Sequence, residues 1–454
     1  MSTDKKKNSS ESRRKIRRRR QIRNQILAYL LLVVLMFAVG VGGYFGVRKL
    51  AELFNEKRAE TEARISENLA TTPSTSEDDA IISTPDNIDT VSEDAVSGDE
   101  AEEDPQVDPD IVAVIESMSA EEKAGALIMT TPEALTGVNA ATQAGEGTKA
   151  ALEKYPVGIL IYDKDNWVDA EQFKTLISKT KDMYAETYAS DNELRGLFIA
   201  VKEDGSANKV VALDASVDSA PDLGASGDNT NAYQAYLAIG SELNACNIDI
   251  DIAPLCDVAT EGSYESGSSF GPDADIVASM VGSAVSGLSD QNIVACVYTF
   301  PGQGSLSAAP NGNMTESERT LDDLRDFEYK PFESAINEGA GIIMVGNLAI
   351  SDADGNQEPA YISSALLNDE LRGQLGFEGV IITDDLSSIA KDAEYSQQEA
   401  ALRAINAGVD MVYVSTNFED TYQYLLDSIN DGAITEERLN DALIHIYTMK
   451  KNAL

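Results

Sequence analysis

The chain has very few histidine, tryptophan and cysteine residues and is short of basic side chains. Its 454 residues include one histidine, one tryptophan and three cysteines, and 35 Lys and Arg stand against 77 Asp and Glu. Three cysteines are too few for a disulfide framework, and Cys246, Cys256 and Cys296 lie in apolar runs, so we expect buried free thiols. Without His or Cys clusters or a Gly-rich phosphate loop, we predict no metal site and no cofactor.

Basic residues are concentrated at the N-terminus. Residues 1–49 hold 13 Lys and Arg against Asp4 and Glu11, a net charge of +11. The formal charge of the whole chain is −42, which leaves −53 on the remainder. Because a phosphate backbone requires the opposite sign of charge, a nucleic-acid partner for this acidic remainder is excluded.

A long uncharged apolar run follows the basic residues. Residues 26–47 carry no charge, and Arg48 and Lys49 close the run. At a rise of about 1.5 Å per residue its length matches a hydrocarbon core of about 30 Å, and it exceeds the apolar region of a cleaved signal peptide. We predict a basic cytoplasmic tail at 1–25 and one transmembrane helix at 26–47. By the positive-inside rule the protein is then a single-pass protein of the cell membrane, with its C-terminal bulk extracellular.

The next segment changes composition before a globular domain begins. Residues 48–109 read as a short helical stalk followed by a disordered acidic linker, because no Lys or Arg occurs between Arg64 and Lys123. Ser119 and Glu122 then form a capping-box pattern at a helix start. We assign residues 110–454 to the globular domain.

Within that domain, eight short apolar runs alternate with amphipathic helical stretches. Continuous apolar strands are typical of a parallel sheet that is buried on both faces. Eight strand–helix units predict a (β/α)₈ barrel of the TIM type. A doubly wound open sheet is the alternative, but its Gly-rich phosphate loop is missing. The predicted strands are 126–130, 157–162, 197–201, 248–253, 293–297, 341–345, 379–383 and 410–414.

Active residues of such barrels lie at the carboxyl ends of the strands. Asp384 and Asp385 directly follow the predicted strand 379–383, and Asn347 follows 341–345. Glu203 and Asp204 come shortly after the strand 197–201. Acidic side chains after a buried strand are costly unless they are solvated, paired or used in chemistry, so these five positions are the candidate site.

The motifs at these strand ends resemble the N-terminal domain of family 3 glycoside hydrolases, and most closely its bacterial β-N-acetylhexosaminidases. The resemblance covers the whole globular domain and implies that Asp384 is the nucleophile of a retaining glycosidase. It places Glu203, Asp204, Asn347 and Asp385 at substrate-binding positions. The matching motifs, in chain order, are 248–258, 269–271, 300–304, 379–387 and 406–411.

The chain departs from the family pattern at the residues that carry the chemistry. The family's acid/base is a histidine paired with an Asp, on the loop after a Phe-Pro-Gly-His-Gly motif. Here Gln303 stands in that motif, and Ala309 and Asn311 fall where the Asp–His pair belongs. The single histidine, His445, lies in the predicted terminal helix, where we expect a structural role. Sugar-binding positions are replaced as well, by Lys202, Ser268, Tyr298, Thr299 and Asn347.

Two functions are therefore open. In the first, the barrel has lost or reduced catalysis and binds a cell-wall glycan or an envelope protein as a tethered scaffold. In the alternative, it is an active retaining β-N-acetylglucosaminidase on peptidoglycan-derived glycans, with Asp384 as nucleophile. The alternative requires a carboxylate that replaces the acid/base, and the candidates are Glu203, Asp204, Glu316 and Glu318.

Overall fold

The computed structural model describes residues 107–189, 192–204, 217–310, 314–317, 319–351, 357–390 and 394–454. The predicted basic tail, the predicted membrane span and nearly all of the predicted linker lie outside these residues. Within the described ranges, every helix is too short or too polar to cross a membrane.

Eight parallel strands close into a barrel. Going round it, the strands follow the order β1-β11-β10-β7-β5-β4-β3-β2, and a separate three-stranded sheet has the order β6-β8-β9. The strands are β1 Ile128–Thr130, β2 Ile159–Ile161, β3 Phe198–Val201, β4 Ile250–Asp251, β5 Val294–Phe300, β6 Thr315–Glu316, β7 Ile342–Val345, β8 Leu348–Ser351, β9 Gln357–Pro359, β10 Val380–Asp385 and β11 Met411–Val414.

The eight predicted strands are all confirmed as barrel strands, and the closed order excludes an open doubly wound sheet. Strands β1, β3 and β7 are buried along their whole length, because helices cover the barrel outside and side chains fill it inside. The sheet β6-β8-β9 was not predicted. It joins the segments that follow β5 and β7, so it lies at the carboxyl ends of the strands.

Helices follow the barrel strands as the (β/α) pattern requires. The predicted capping box is confirmed, with Ser119 and Glu122 satisfying each other's backbone amides at 3.3 and 2.8 Å. The longer helices are Pro109–Ser117, Ala120–Ala126, Glu146–Lys154, Ala170–Tyr188, Ala220–Ser226, Asn229–Ala245, Ala274–Ser289, Tyr329–Asn337, Gln397–Ala407, Phe418–Asn430 and Glu436–Ala453, and Leu324–Glu328 and Ala365–Gln374 are π-helical. Shorter helical segments are Pro132–Thr136, Lys164–Asn166, Glu193–Arg195, Leu321–Asp323, Ala360–Ile362 and Leu386–Ile389.

An ion-pair network lies at the amino ends of β10 and β11. Asp410, fully buried just before β11, accepts from Arg372 at 2.6 Å and from Arg438 at 2.8 Å. His445 Nδ1 lies 3.1 Å from the same carboxylate, so the predicted structural role of the single histidine is confirmed. Burial opposes the charge, but the His445 hydrogen bond and both guanidinium groups outweigh it and lower the pKa of Asp410.

Candidate active site

The mouth of the barrel is formed by the carboxyl ends of its strands and the residues that directly follow them. Asp384 lies there as the fifth residue of β10, partly exposed, while Val380 to Thr383 before it are buried. The backbone amide of Asp385 donates to Asp384 Oδ1 at 2.7 Å. The strand thus delivers one carboxylate to the opening, where the sequence predicted it.

Lys202 is the cation whose charge acts on the Asp384 carboxylate. Its ammonium group sits over the ring of Tyr298, 3.9 Å from the ring centre, and this contact orients the side chain at the mouth. Burial raises the pKa of Asp384, and the charge of Lys202 lowers it in part. The cation that acts on Asp384 is thus held by a tyrosine ring.

Asp385 has a local structural role. Its Oδ1 accepts from the amide and hydroxyl of Ser387, at 3.1 and 2.8 Å, and from the amide of Ser415 at 3.1 Å. Its Oδ2 accepts from the Ser415 hydroxyl at 2.5 Å. These four hydrogen bonds cap the helical turn after β10 and join it to the segment after β11. They satisfy the Asp385 carboxylate without any contact to a sugar.

The other predicted substrate-binding residues lie beneath the opening. Glu203 and Asn347 are fully buried and Asp204 is 5% exposed. The amide of Glu203 donates to Asp251 Oδ1 at 2.8 Å, and burial together with the charges of Glu203 and Asp204 raises the pKa of Asp251 well above its usual range. Each is covered by neighbouring residues, and its contact with a sugar stays a prediction.

Gln303, at the position of the family histidine, is held on several sides. Its amide donates to Asp257 Oδ1 at 2.9 Å, and its side-chain Oε1 accepts from the Tyr264 hydroxyl at 2.7 Å. Its Nε2 lies against the backbone of Gly346, where a Cβ would come within 2.4 Å of it. Gln303 is 4% exposed and is therefore a packing residue of the mouth.

Three residues that the sequence analysis did not single out also lie at the mouth. Glu265 is partly exposed, and burial raises the pKa of its carboxyl group, while Tyr264 and the charge of Lys202 lower it in part. Burial, and then the charges of Asp385 and Asp384, raise the pKa of Tyr413 on β11. Tyr264 and Glu265 lie well beyond the end of β4, so no strand end marked them; the only signal was a Tyr-Glu pair between two family motifs.

Two further sequence candidates for the replacement acid were Glu316 and Glu318. Glu316 is exposed in β6 of the separate sheet, and Ala309 is exposed on the segment after β5. Glu318 and Asn311 lie outside the described residues.

One group of side chains in the described ranges could chelate a metal in principle. Asp410, Asp441 and His445 place their ligand atoms within 4.8 Å of one another. Arg372 and Arg438 already donate to the oxygens of Asp410, and Arg438 also pairs with Asp441. A cation there would have to displace guanidinium groups, so we assign the group to the ion-pair network.

Comparison with known proteins gives one consistent result. The profile of the Glycosyl hydrolase family 3 N terminal domain matches residues 119–449. A β-hexosaminidase of Psychromonas ingrahamii is 30% identical over 263 residues, which is 56% of this chain and 74% of that relative. A β-N-acetylglucosaminidase/β-glucosidase of Cellulomonas fimi is 28% identical over 265 residues, 56% of this chain and 47% of the relative, so the chain spans about half the length of that protein.

Solved structures agree. A family 3 β-N-acetylglucosaminidase from Paenibacillus sp. str. FPU-7 superposes with a TM-score of 0.68 at 28% identity, covering 74% of this chain and 63% of that one. A β-N-acetylhexosaminidase from Beutenbergia cavernae, at 23% identity, shares the fold with a TM-score of 0.64, covering 74% and 99%. The chain therefore belongs to glycosyl hydrolase family 3, and its described barrel is the N-terminal domain of that family.

Proposed function

We propose that the barrel binds a β-linked N-acetylglucosamine-containing glycan at its mouth and hydrolyses it slowly, with Asp384 as the nucleophile. One observation carries the proposal. Asp384 is kept at the mouth, where the charge of Lys202 acts on it, in a chain whose single histidine lies at the opposite end of the barrel. A carboxylate at the family's nucleophile position supports hydrolysis, and the replacement of the family's histidine acid/base supports a low rate.

The charge of Lys202 supports slow turnover. An ammonium group that stabilises the Asp384 carboxylate in the resting site lowers the energy of the ground state, and it must lose part of that interaction when the carboxylate bonds to carbon. Loss of an optimally placed general acid typically costs about 10²–10⁴-fold in rate. A domain with both features would cleave a bound glycan far more slowly than a relative does.

The test measures binding and turnover on the full-length protein in detergent. We expect a β-1,4-linked N-acetylglucosamine trimer to bind the wild type and Asp384→Ala alike by calorimetry. With phenyl N-acetyl-β-glucosaminide, whose leaving group needs a proton, hydrolysis by the wild type should exceed that by Asp384→Ala and lie about 10²–10⁴-fold below that by a histidine-containing relative. Failure of the trimer to bind either protein would overturn the proposal.

We also propose that the protein acts at the cell membrane, as a module facing a wall glycan or an envelope protein. The support is the sequence alone: an uncharged run at 26–47 follows a basic tail, and the remainder of the chain is strongly acidic. Fractionation of cells should place the chain with the membrane, and external protease should remove the barrel from intact cells. Recovery in the soluble fraction would contradict the proposed anchor.

A further inference from the structure

Strand β10 is irregular where it carries Asp384. On the parallel neighbour β11, Ile382 pairs with Met411. A later pair joins Asp385 to Tyr413, so three steps along β10 match two steps along β11. This is a β-bulge, with one extra residue in β10. Because a bulge interrupts the regular ladder of hydrogen bonds, contacts outside the ladder must fix the direction of the Asp384 side chain.

The segment after β11 supplies such contacts through Ser415. The Ser415 amide donates to Asp385 Oδ1 at 3.1 Å, and the Ser415 hydroxyl donates to Asp385 Oδ2 at 2.5 Å. Hydrogen bonds to an ionised carboxylate are roughly twice as strong as bonds between neutral groups. One residue thus engages both carboxylate oxygens and joins the end of β10 to the end of β11.

The contacts with Ser415 are separate from the helix cap that Asp385 also forms. The helical turn Leu386–Ile389 is capped by the hydrogen bond from the Ser387 amide to Asp385 Oδ1, at 3.1 Å. The hydrogen bonds from Ser415 come from a different strand end and add nothing to this cap. Loss of the Ser415 hydroxyl therefore leaves the turn capped and weakens only the link between β10 and β11.

The same link sets the direction of a hydrogen bond on Asp384. The Asp385 amide donates to Asp384 Oδ1 at 2.7 Å. Because the side chain of Asp385 is fixed to Ser415, the peptide that carries this amide is held as well. Within the described part of the chain, no hydrogen bond reaches Asp384 Oδ2. One oxygen of the carboxylate is thus held, and the other is left for a reaction.

We propose that Asp385 and Ser415 are positioning residues, which hold Asp384 so that its Oδ2 attacks the sugar. The inference rests on the proposed slow hydrolysis. Asp384 Oδ2 bonds to the anomeric carbon as the glycosidic carbon–oxygen bond breaks, and the leaving oxygen takes a proton from water. Oδ1 becomes the carbonyl oxygen of the ester and stays on the Asp385 amide. A second water then attacks the anomeric carbon, the bond from that carbon to Oδ2 breaks, and the released proton neutralises the hydroxide.

The test uses the full-length protein in detergent and a dinitrophenyl N-acetyl-β-glucosaminide. This leaving group departs without protonation, so kcat/KM reports the attack of Asp384 alone. A misplacement of about 1 Å can cost about 10²-fold in rate, and we expect Ser415→Ala to lose about 10–10²-fold in kcat/KM. Ser415→Thr keeps the hydroxyl and should retain the wild-type value. Ser117→Ala removes a hydroxyl that donates to a helix carbonyl, and this control should match the wild type.

Two further measurements separate positioning from a purely structural role. The affinity for the β-1,4-linked N-acetylglucosamine trimer should be equal in Ser415→Ala and the wild type by calorimetry. Burial raises the pKa of Asp384, and the charge of Lys202 and then the Asp385 amide lower it in part. A loosened amide should therefore move the acidic limb of the pH profile of kcat/KM to higher pH in Ser415→Ala.

The other outcomes overturn the inference. If the wild type exceeds Asp384→Ala while Ser415→Ala keeps its kcat/KM or its acidic limb, the proposed function stands and this inference fails. A loss that Ser415→Thr does not restore, or a weaker trimer affinity in Ser415→Ala, would indicate a role in folding or in sugar contact instead. If the wild type hydrolyses the dinitrophenyl substrate no faster than Asp384→Ala, the proposed hydrolysis and this inference fail together.

Discussion

At the scale of single residues, Lys202 is the cation whose charge acts on Asp384. Its ammonium group lies over the ring of Tyr298, and its charge lowers the pKa of Asp384 in part. Burial raises the pKa of Asp384 and Lys202 limits the rise, so the cation helps to keep the carboxylate ionised. The same charge therefore maintains the nucleophile and stabilises its resting state.

Replacement of Lys202 by methionine tests this balance. Without the cation the pKa of Asp384 should rise, because burial is no longer opposed, and the acidic limb of the pH–rate profile should move to higher pH. Lys179→Met, on the exposed side of the helix Ala170–Tyr188, serves as the control and should leave the profile in place. A limb that stays fixed in Lys202→Met would show that Lys202 does not act on the nucleophile.

A second residue-scale prediction concerns Glu328, at the end of a π-helical turn beneath the mouth. The side chain is fully buried and packs against Gly302, and Arg319 lies 3.5 Å from its carboxylate. Burial raises the pKa of Glu328 from 4.5 to about 7, although Arg319 lowers it in part. Because the folded pKa is the higher one, its stabilising contribution is complete below about pH 4.5 and is lost as the pH rises through about 7.

The variant Glu328→Gln should remove this pH dependence. We expect the free energy of unfolding of the variant, relative to the wild type, to increase by up to about 3 kcal/mol between about pH 4.5 and pH 8. Urea unfolding of both proteins across that range isolates the residue, because other buried carboxylates contribute equally to both curves. A difference between the two proteins that is constant with pH would show that Glu328 does not titrate near neutrality.

At the scale of elements, the strands were predictable and the small structures around them were not. The eight barrel strands are apolar runs bounded by polar residues, and a single sequence is enough to show that pattern. Strand β6 consists only of Thr315 and Glu316 and shows no apolar alternation. Ala365–Gln374 is π-helical, and the period of a π-helix differs too little from that of an α-helix to be recognised in a single sequence. Asp384 was predictable because a strand end places it, whereas Glu265 depends on a loop fold that the sequence does not reveal.

Asp410 links several of these elements at the amino ends of the strands. Besides the two arginines, it accepts from the amide of Ile381 in β10 at 2.9 Å, so one carboxylate joins β10, β11 and the terminal helix. We expect Asp410→Ala to reduce the free energy of unfolding by about 3–5 kcal/mol, because it removes the carboxylate paired with the mostly buried guanidinium of Arg372 and one of the two carboxylates paired with Arg438. Asp441→Ala, whose side chain is 58% exposed, should cost at most about 1 kcal/mol.

Chemical denaturation of the two variants measures the difference. Similar losses in both would show that the network is no stronger than a surface ion pair. Addition of Zn²⁺ to the wild type should leave the thermal midpoint unchanged, because the arginines already occupy the carboxylate of Asp410. A rise in the midpoint with Zn²⁺ would instead identify Asp410, Asp441 and His445 as a metal site.

At the scale of the whole molecule, charge is the dominant feature. All but the first 49 residues carry a formal charge of −53, and many acidic groups crowd one barrel. Folding brings these charges closer together than in the unfolded chain, so mutual repulsion opposes the compact state. Salt screens such repulsion, with a Debye length that falls from about 30 Å at 0.01 M to about 8 Å at 0.15 M.

We therefore expect the thermal midpoint of the protein to rise by several degrees when NaCl increases from about 0.01 M to about 0.15 M. The ion pairs at the surface weaken over the same range, but each contributes at most about 1 kcal/mol, so repulsion should prevail. The carboxylate of Asp410 is fully buried, so salt screens its ion pairs little at either concentration. Sucrose at matched water activity is the control for solvent effects, and a midpoint that falls with salt would mean that local ion pairs outweigh the net charge.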